Sequence, residues 1–160
     1  MLRWLWLSAL VVVLDQVTKL WAEAALLGQP PLNLLPHLDL ILVYNTGAAF
    51  SFLSDAGGWQ RWFFVVLAVG VTGVLAFWLA RLGRGERLSA LSLSLVIGGA
   101  VGNLIDRVAY GKVIDFIDVY WDASLHWPAF NIADSAIFIG VILLLAESLF
   151  GKPSSRTDGE

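Results

Sequence analysis

Two aspartates set the chemistry this sequence could support. Asp115 sits in the apolar setting Val113-Ile114-Asp115-Phe116, and Asp134 sits in Phe130-Asn131-Ile132-Ala133-Asp134-Ser135, at the start of a long apolar run. Asn131, three residues earlier, is placed to cap a helix there, and the positive end of the helix dipole favours a charged Asp134. Asp115, between isoleucine and phenylalanine, is expected to find its charge more costly. If the two meet, like charges at close range cannot both ionise, and the pair holds one proton between them. Such a pair can hydrolyse a peptide bond. The ionised member takes a proton from water, which attacks the carbonyl, and the protonated member donates to the carbonyl oxygen and later to the leaving amine. The plainer reading makes Asp134 a helix cap and Asp115 a surface acid in a loop. Spacing alone leaves both open. Asp118 and Asp122 compete for the second place, although beside Tyr120-Trp121 and Leu125-His126-Trp127 they also read as solvated acids of a partly wet segment.

A second polar cluster lies in an otherwise apolar stretch near the N-terminus. Asp15 and Lys19 are four apart with the acid first, the favourable direction for an intrahelical pair. Mutual neutralisation and a role in a site are equally compatible with that spacing, because ionisable groups at membrane depth are costly and call for an explanation. Asn103, Asp106, Arg107 and Asn131 could position a substrate backbone, and Asp106 with Arg107 could equally be a local pair at the membrane boundary. His37 and His126 have no partner at metal-ligand spacing and read as bystanders. The sequence has no H-E-x-x-H and no G-x-S-x-G pattern. It contains no cysteine, which excludes thiolate catalysis, disulfides and cysteine-based metal sites. A serine–lysine pair, from Ser51 or Ser54 with Lys19 or Lys112, remains a weak rival. No cofactor is called for.

These residues need a membrane-embedded frame. The chain has 160 residues, of which 58% are hydrophobic and 14% charged, against about 45–50% and 25% for soluble domains. Four stretches are long enough to cross a bilayer: Leu2 to Ala25, Trp62 to Ala80, Leu88 to Ile105 and Ile132 to Phe150. The first also resembles a cleavable signal peptide, with Arg3 at its start and Ala22-Glu23-Ala24 as a small-residue site. Asp15 and Lys19 inside it favour a retained helix. Arg81, Arg84 and Arg87 lie between the second and third spans, Arg3 precedes the first, and Lys152 and Arg156 follow the fourth. That bias predicts both termini in the cytoplasm and two loops outside, roughly 26–61 and 106–130. In the first loop, Leu38 to Tyr44 reads as a short strand followed by a turn at Asn45-Thr46-Gly47, so a small sheet on the outer membrane surface is expected. Residues 1–150 make one membrane-embedded domain, and residues 151–160 make a polar, disordered cytoplasmic tail. Gly98 and Gly102 suit close helix packing, while Trp62, Phe63, Phe64, Phe77 and Trp78 suit lipid-facing anchors. A net charge of −3 with scattered basic residues excludes a nucleic-acid surface.

Five segments in order, on four spans, resemble the lipoprotein signal peptidase (signal peptidase II) family of the bacterial inner membrane. They are Asp15-Gln16-Val17-Thr18-Lys19, Tyr44-Asn45-Thr46-Gly47-Ala48-Ala49-Phe50-Ser51, Gly102-Asn103-Leu104-Ile105-Asp106-Arg107, Val113-Ile114-Asp115-Phe116 and Phe130-Asn131-Ile132-Ala133-Asp134-Ser135. The resemblance implies an all-α membrane fold of four helices with a small extracytoplasmic sheet. It implies a metal-independent aspartic endopeptidase that cuts prolipoproteins just before a diacylglyceryl-modified cysteine. It matches Asp115 and Asp134 to the catalytic pair, and Asn45, Gly47, Asn103, Arg107 and Asn131 to substrate-binding positions. Asp15, Lys19 and Asp106 would support them, and the stretch from Gly47 to Ser51 would help cover the substrate. Expected partners are the lipid-modified precursor and membrane lipid, with a monomer sufficient for activity. A proton-coupled transporter or scaffold is the non-enzymatic rival, and four spans without broken helices or inverted halves argue against it.

Overall fold

The computed structural model describes residues 1–47, 58–122 and 124–150. Four helices carry the chain: α1 (Leu5–Leu26, entered through a 3-10 turn at Leu2–Trp4), α2 (Trp59–Arg81), α3 (Arg87–Tyr110) and α4 (Ile132–Phe150). All four are long and apolar enough to cross a bilayer. The fourth has the expected bounds. The third runs five residues past Ile105, because Asp106 and Arg107 find partners inside the protein and do not end the helix.

Four strands lie between the helices: β1 (Leu32–Leu35), β2 (Leu38–Asn45), β3 (Val113–Asp122) and β4 (Leu125–His126). They form one antiparallel sheet in the order β1-β2-β3-β4. The strand expected at Leu38 to Tyr44 is β2. Its main partner is β3, in a stretch that the sequence suggested was loop. Pairing runs from Leu38↔Val119 to Asn45↔Val113, with a bulge between Leu40 and Val43. β1 and β2 join α1 to α2, and β3 and β4 join α3 to α4. The sheet therefore lies at the end of the bundle where α1 and α3 finish and α2 and α4 begin.

α3 is the central helix and packs against α1, α2 and α4. Of its most apolar window 61% is buried, against 11% for α2. Small residues make this approach close. A Cβ on Gly98 would lie 2.8 Å from Val11 Cβ of α1, and one on Gly140 of α4 would lie 2.7 Å from the Ser92 carbonyl of α3. Leu79, Leu82, Ala90, Leu93 and Ile97 form a core at the end away from the sheet. Ala22, Leu26 and Phe116 form a second one between α1 and the sheet. The outward faces of the helices remain apolar, with Val66, Val74, Phe77 and Phe138 all exposed, as a lipid solvent requires. Trp62, Phe63, Phe77 and Trp78 are exposed too. Phe64 differs from them, because its ring lies under the Arg107 guanidinium.

Candidate active site

The polar pair of α1 is the foundation of the site. Lys19 Nζ lies 2.8 Å from Asp15 Oδ2, 2.9 Å from Asp106 Oδ2 and 2.9 Å from Asn103 Oδ1. Its three N–H donors thus meet three acceptors. Lys19 is 1% exposed, Asp15 0% and Asp106 1%. Asp106 therefore pairs with Lys19 across the α1–α3 contact, and a local pair with its neighbour Arg107 does not form. Gln16, which the sequence did not single out, donates to Asp106 Oδ1 at 2.8 Å. The backbone N–H of Ile114 donates to Asp106 Oδ2, so the cluster also fixes the start of β3. Asp15 Oδ1 accepts the N–H of Ala133 at 3.0 Å, supplying from α1 a cap for the second residue of α4.

Asn131 and Asp134 build the first turn of α4 as a reciprocal box. The Asp134 N–H donates to Asn131 Oδ1 at 2.9 Å, and the Asn131 N–H donates to Asp134 Oδ2 at 3.2 Å. Asp134 is thus a helix cap and also a group of the site. With its oxygen committed to the helix, the Asn131 amide points its NH2 group away. It donates to Asp115 Oδ1 at 2.7 Å, and Ile114 O and Asn103 Oδ1 lie 3.2 Å from the same nitrogen. Asn103 is oriented by the same logic. Lys19 offers only donors, so the Asn103 oxygen faces Lys19 and its NH2 donates to Asp134 Oδ1 at 2.8 Å. Asn45, at the end of β2, donates to Asp115 Oδ2 at 3.3 Å.

Asp115 and Asp134 are thereby joined through Asn131. Burial and then the negative charge of Asp134 push the Asp115 carboxyl up to about 7, against the opposing pull of Asn45, Asn131 and Lys19. Arg107 donates to the carbonyls of Asn103 and Gly47 at 3.3 and 3.2 Å. It ties the turn after β2 to α3. The Gly47 N–H in turn donates to the Asn45 side-chain oxygen at 2.9 Å. Of the stretch from Gly47 to Ser51, only Gly47 is among the described residues, and Ser51 and Ser54 lie outside them.

A cavity of about 950 Å³ opens on these groups. Asn45, Asn103, Arg107, Asp115 and Asp134 line it, with Ile41 and Val43 from β2, the Trp127 to Phe130 segment, and Ile137, Phe138, Ile139 and Val141 from α4. The two competing acids separate. Asp122 is exposed and closes the β3–β4 turn by accepting from Ser124 and Leu125; those hydrogen bonds hold it below the usual carboxylate range. Asp118 is not a solvated acid. It is 5% exposed, faces the same cavity, and lies 2.9 Å from His126 Nδ1. His126 is correspondingly not a bystander. The pairing was hidden in sequence because it crosses a hairpin whose first strand was not evident. Arg61 of α2 was also missed. It caps α3 from outside, donating to the Arg107 and Val108 carbonyls at 2.7 Å each.

The fold and cavity define an integral membrane protein of four spans with a carboxylate-lined site at one end of its helices. Residues 7–150 match the family model described as signal peptidase (SPase) II, and the chain belongs to that family. It is 54% identical over 160 residues to a lipoprotein signal peptidase of Xanthomonas axonopodis pv. citri, covering 99% of this chain and 92% of that one. It is 52% identical over 147 residues to a lipoprotein signal peptidase of Aeromonas hydrophila subsp. hydrophila, covering 91% and 87%. A solved structure described as a bacterial membrane enzyme, obtained by the in meso method at 2.3 Å, superposes with a TM-score of 0.79 at 31% identity, covering 100% of this chain and 94% of that one.

Proposed function

We propose that this member of the signal peptidase II family removes signal peptides from prolipoproteins as an aspartic peptidase, with Asp115 and Asp134 as the reacting pair. One observation carries the reading: two carboxylates open into a single cavity, joined by one asparagine, and the more buried of them is driven to about 7. At neutral pH such a pair supplies an acid and a base together. Asp134 accepts from Asn103 and from the Asn131 backbone, and serves as the base that takes a proton from the attacking water. Protonated Asp115 donates to the scissile carbonyl oxygen. Collapse of the tetrahedral intermediate breaks the C–N bond; the proton gained by Asp134 passes to the leaving amine, and a tetrahedral hydroxyl returns a proton to Asp115 as the new carboxyl group forms.

The remaining roles follow from position. Asn45 and Asn131 hold Asp115, Asn103 holds Asp134, and Arg107 holds the Gly47 turn against α3. The apolar flank of the cavity on α4 suits a substrate that arrives from the bilayer with a diacylglyceryl-modified cysteine at its cleavage point. All polar groups named come from one chain, so a monomer suffices, and residues 1–150 act as one unit; the expected tail, residues 151–160, lies outside the described residues. The basic residues at the end remote from the sheet support a topology with both termini in the cytoplasm and the cavity on the outer side.

The test is cleavage of a lipid-modified precursor by Asp115→Asn and Asp134→Asn. Both are expected to lose activity while still melting cooperatively, no earlier than the wild type, in detergent, and full activity in either removes the proposed pair. Because the chain lacks cysteine, orientation is open to single-cysteine labelling in intact cells. A cysteine in place of Ser124 should react with an impermeant maleimide and one in place of Arg84 should not; the opposite pattern would invert the topology.

A further inference from the structure

Two groups that line the cavity, His126 and Asp118, have no part in the hydrolysis above. The Asp118 oxygens lie 2.9 and 3.1 Å from His126 Nδ1. A carboxylate offers only acceptors, so the proton sits on Nδ1 and the tautomer of the neutral ring is fixed. The imidazole is held again by the stacked Tyr120 ring, with centroids 5.3 Å apart, and by the backbone pairing of Tyr120 with His126. The neighbouring Trp127 N–H donates to the Val119 carbonyl at 2.7 Å. Yet the histidine side chain is 44% exposed, against 8% for that of Asp118, and it borders the cavity. In its neutral form the imidazole so fixed presents an Nε2 lone pair, an acceptor held on the β3–β4 hairpin. That is more order than a surface histidine needs.

The location suggests the ligand. The cavity runs from Ile137, Phe138 and Val141, inside the span of α4, to β4 of the sheet beyond the helix ends. A peptide whose apolar part lies along α4 and whose scissile bond meets Asp115 and Asp134 must leave past the sheet. The part that leaves there is the segment after the scissile bond. Its backbone offers N–H donors whatever its side chains, which is what a processing enzyme with many precursors can use. We propose that His126, oriented by Asp118, is a subsite that accepts a backbone N–H from the segment following the cleaved bond. The assignment rests on Asp115 and Asp134 as the reacting pair, since they fix where that bond lies.

The experiment uses the full chain in nanodiscs and synthetic lipopeptides that carry a diacylglyceryl cysteine and four further residues, each of their amides N-methylated in turn. His126→Phe keeps the ring against Tyr120 and removes both nitrogens. It is expected to raise KM about fivefold, the scale of one hydrogen bond, with kcat within about twofold. His126→Gln, which returns an acceptor near Nε2, should recover part of the loss. One N-methylated peptide should show a similar rise with the wild-type enzyme and no further rise with His126→Phe. Independent, multiplying losses at every position would overturn the proposal, as would a fall in kcat at unchanged KM. If His126→Phe does not fold, the wild-type series decides: no position sensitive to N-methylation overturns it. Asp115→Asn run on the same peptides separates the two ideas. An inactive Asp115→Asn with an insensitive His126→Phe sinks only the subsite, whereas an active Asp115→Asn sinks the dyad itself.

Discussion

Two groups of carboxylates lie side by side in this molecule and behave as opposites. Asp15 and Asp106 are sealed between α1 and α3, share the ammonium of Lys19, and accept from Gln16, Ile114 and Ala133. Asp115 and Asp134 face a cavity that the Arg107 guanidinium also lines, have no ammonium between them, and among the described residues are linked through amides. The first group is saturated with donors and closed to water. The second is left with like charges and an open side. Residue type is the same in both; the number of donors and the access to solvent separate a structural anion from a reactive one. The two are nonetheless coupled, because Lys19 fixes the Asn103 amide that serves Asp134.

The largest test of this contrast is chemical. Asp115→Asn and Asp134→Asn should each lower kcat by about 10²–10⁴-fold or more, the usual contribution of acid–base groups, without unfolding the protein. Lys19→Met should do the reverse. It leaves two buried carboxylates without their cation, and a loss on the order of 3–5 kcal/mol is expected, read as an early melting transition in detergent. Residual activity should fall as well, because the Asn103 amide is then free to turn. A Lys19→Met protein as stable as the wild type would show that the sealed cluster is not what holds α1 to α3.

The pH dependence sharpens the open half. Asp115 acts as the acid and titrates at about 7, so kcat/KM should fall as pH rises through that value, about tenfold per unit once above it. Stability has its own sign. The folded value lies above that of the unfolded chain, near 3.9. Below about pH 4 both states are protonated and Asp115 costs nothing. Between about 4 and 7 the unfolded chain ionises first, so native stability declines as pH rises, and above 7 the loss is complete. Asp115→Asn should therefore melt later than the wild type at pH 8 and at the same temperature near pH 4. No gap at pH 8 would mean that Asp115 is not held against its charge.

The spans were legible because a bilayer demands long apolar runs, and α4 begins and ends where that rule puts it. The acids of the site were legible because charges are rare in such runs. β3 was not, since its value as a strand depends on β2, some seventy residues away, and its own alternation is broken by Phe116-Ile117. With β3 unread, Asp118 and His126 could not be seen to face each other across a hairpin. Gln16 was passed over beside its charged neighbours, although it shares their cluster. The link from Asp15 to the Ala133 N–H was beyond any local pattern, because it depends on how close α1, α3 and α4 approach.

That approach offers the smallest and most local test. Gly102 lies where a Cβ would be 2.6 Å from Asp15 Oδ2 and 3.3 Å from Ala133 Cβ, so a methyl there must displace the carboxylate that caps α4. Gly70, in α2, has nothing within 4 Å of the same position. Gly70→Ala should be neutral or stabilise by up to about 1 kcal/mol, because alanine suits a helix better than glycine. Gly102→Ala gains the same helix preference but should still destabilise by roughly 1–3 kcal/mol, the scale of overpacking. It should also cost activity by a factor below about ten, since Ala133 precedes Asp134 and a shifted cap moves that carboxylate by tenths of an ångström rather than removing it. If Gly102→Ala melted with Gly70→Ala, the sealed cluster would have slack that its distances do not suggest. The activities of the two variants would then show whether Asp15 positions Asp134 or merely lies behind it.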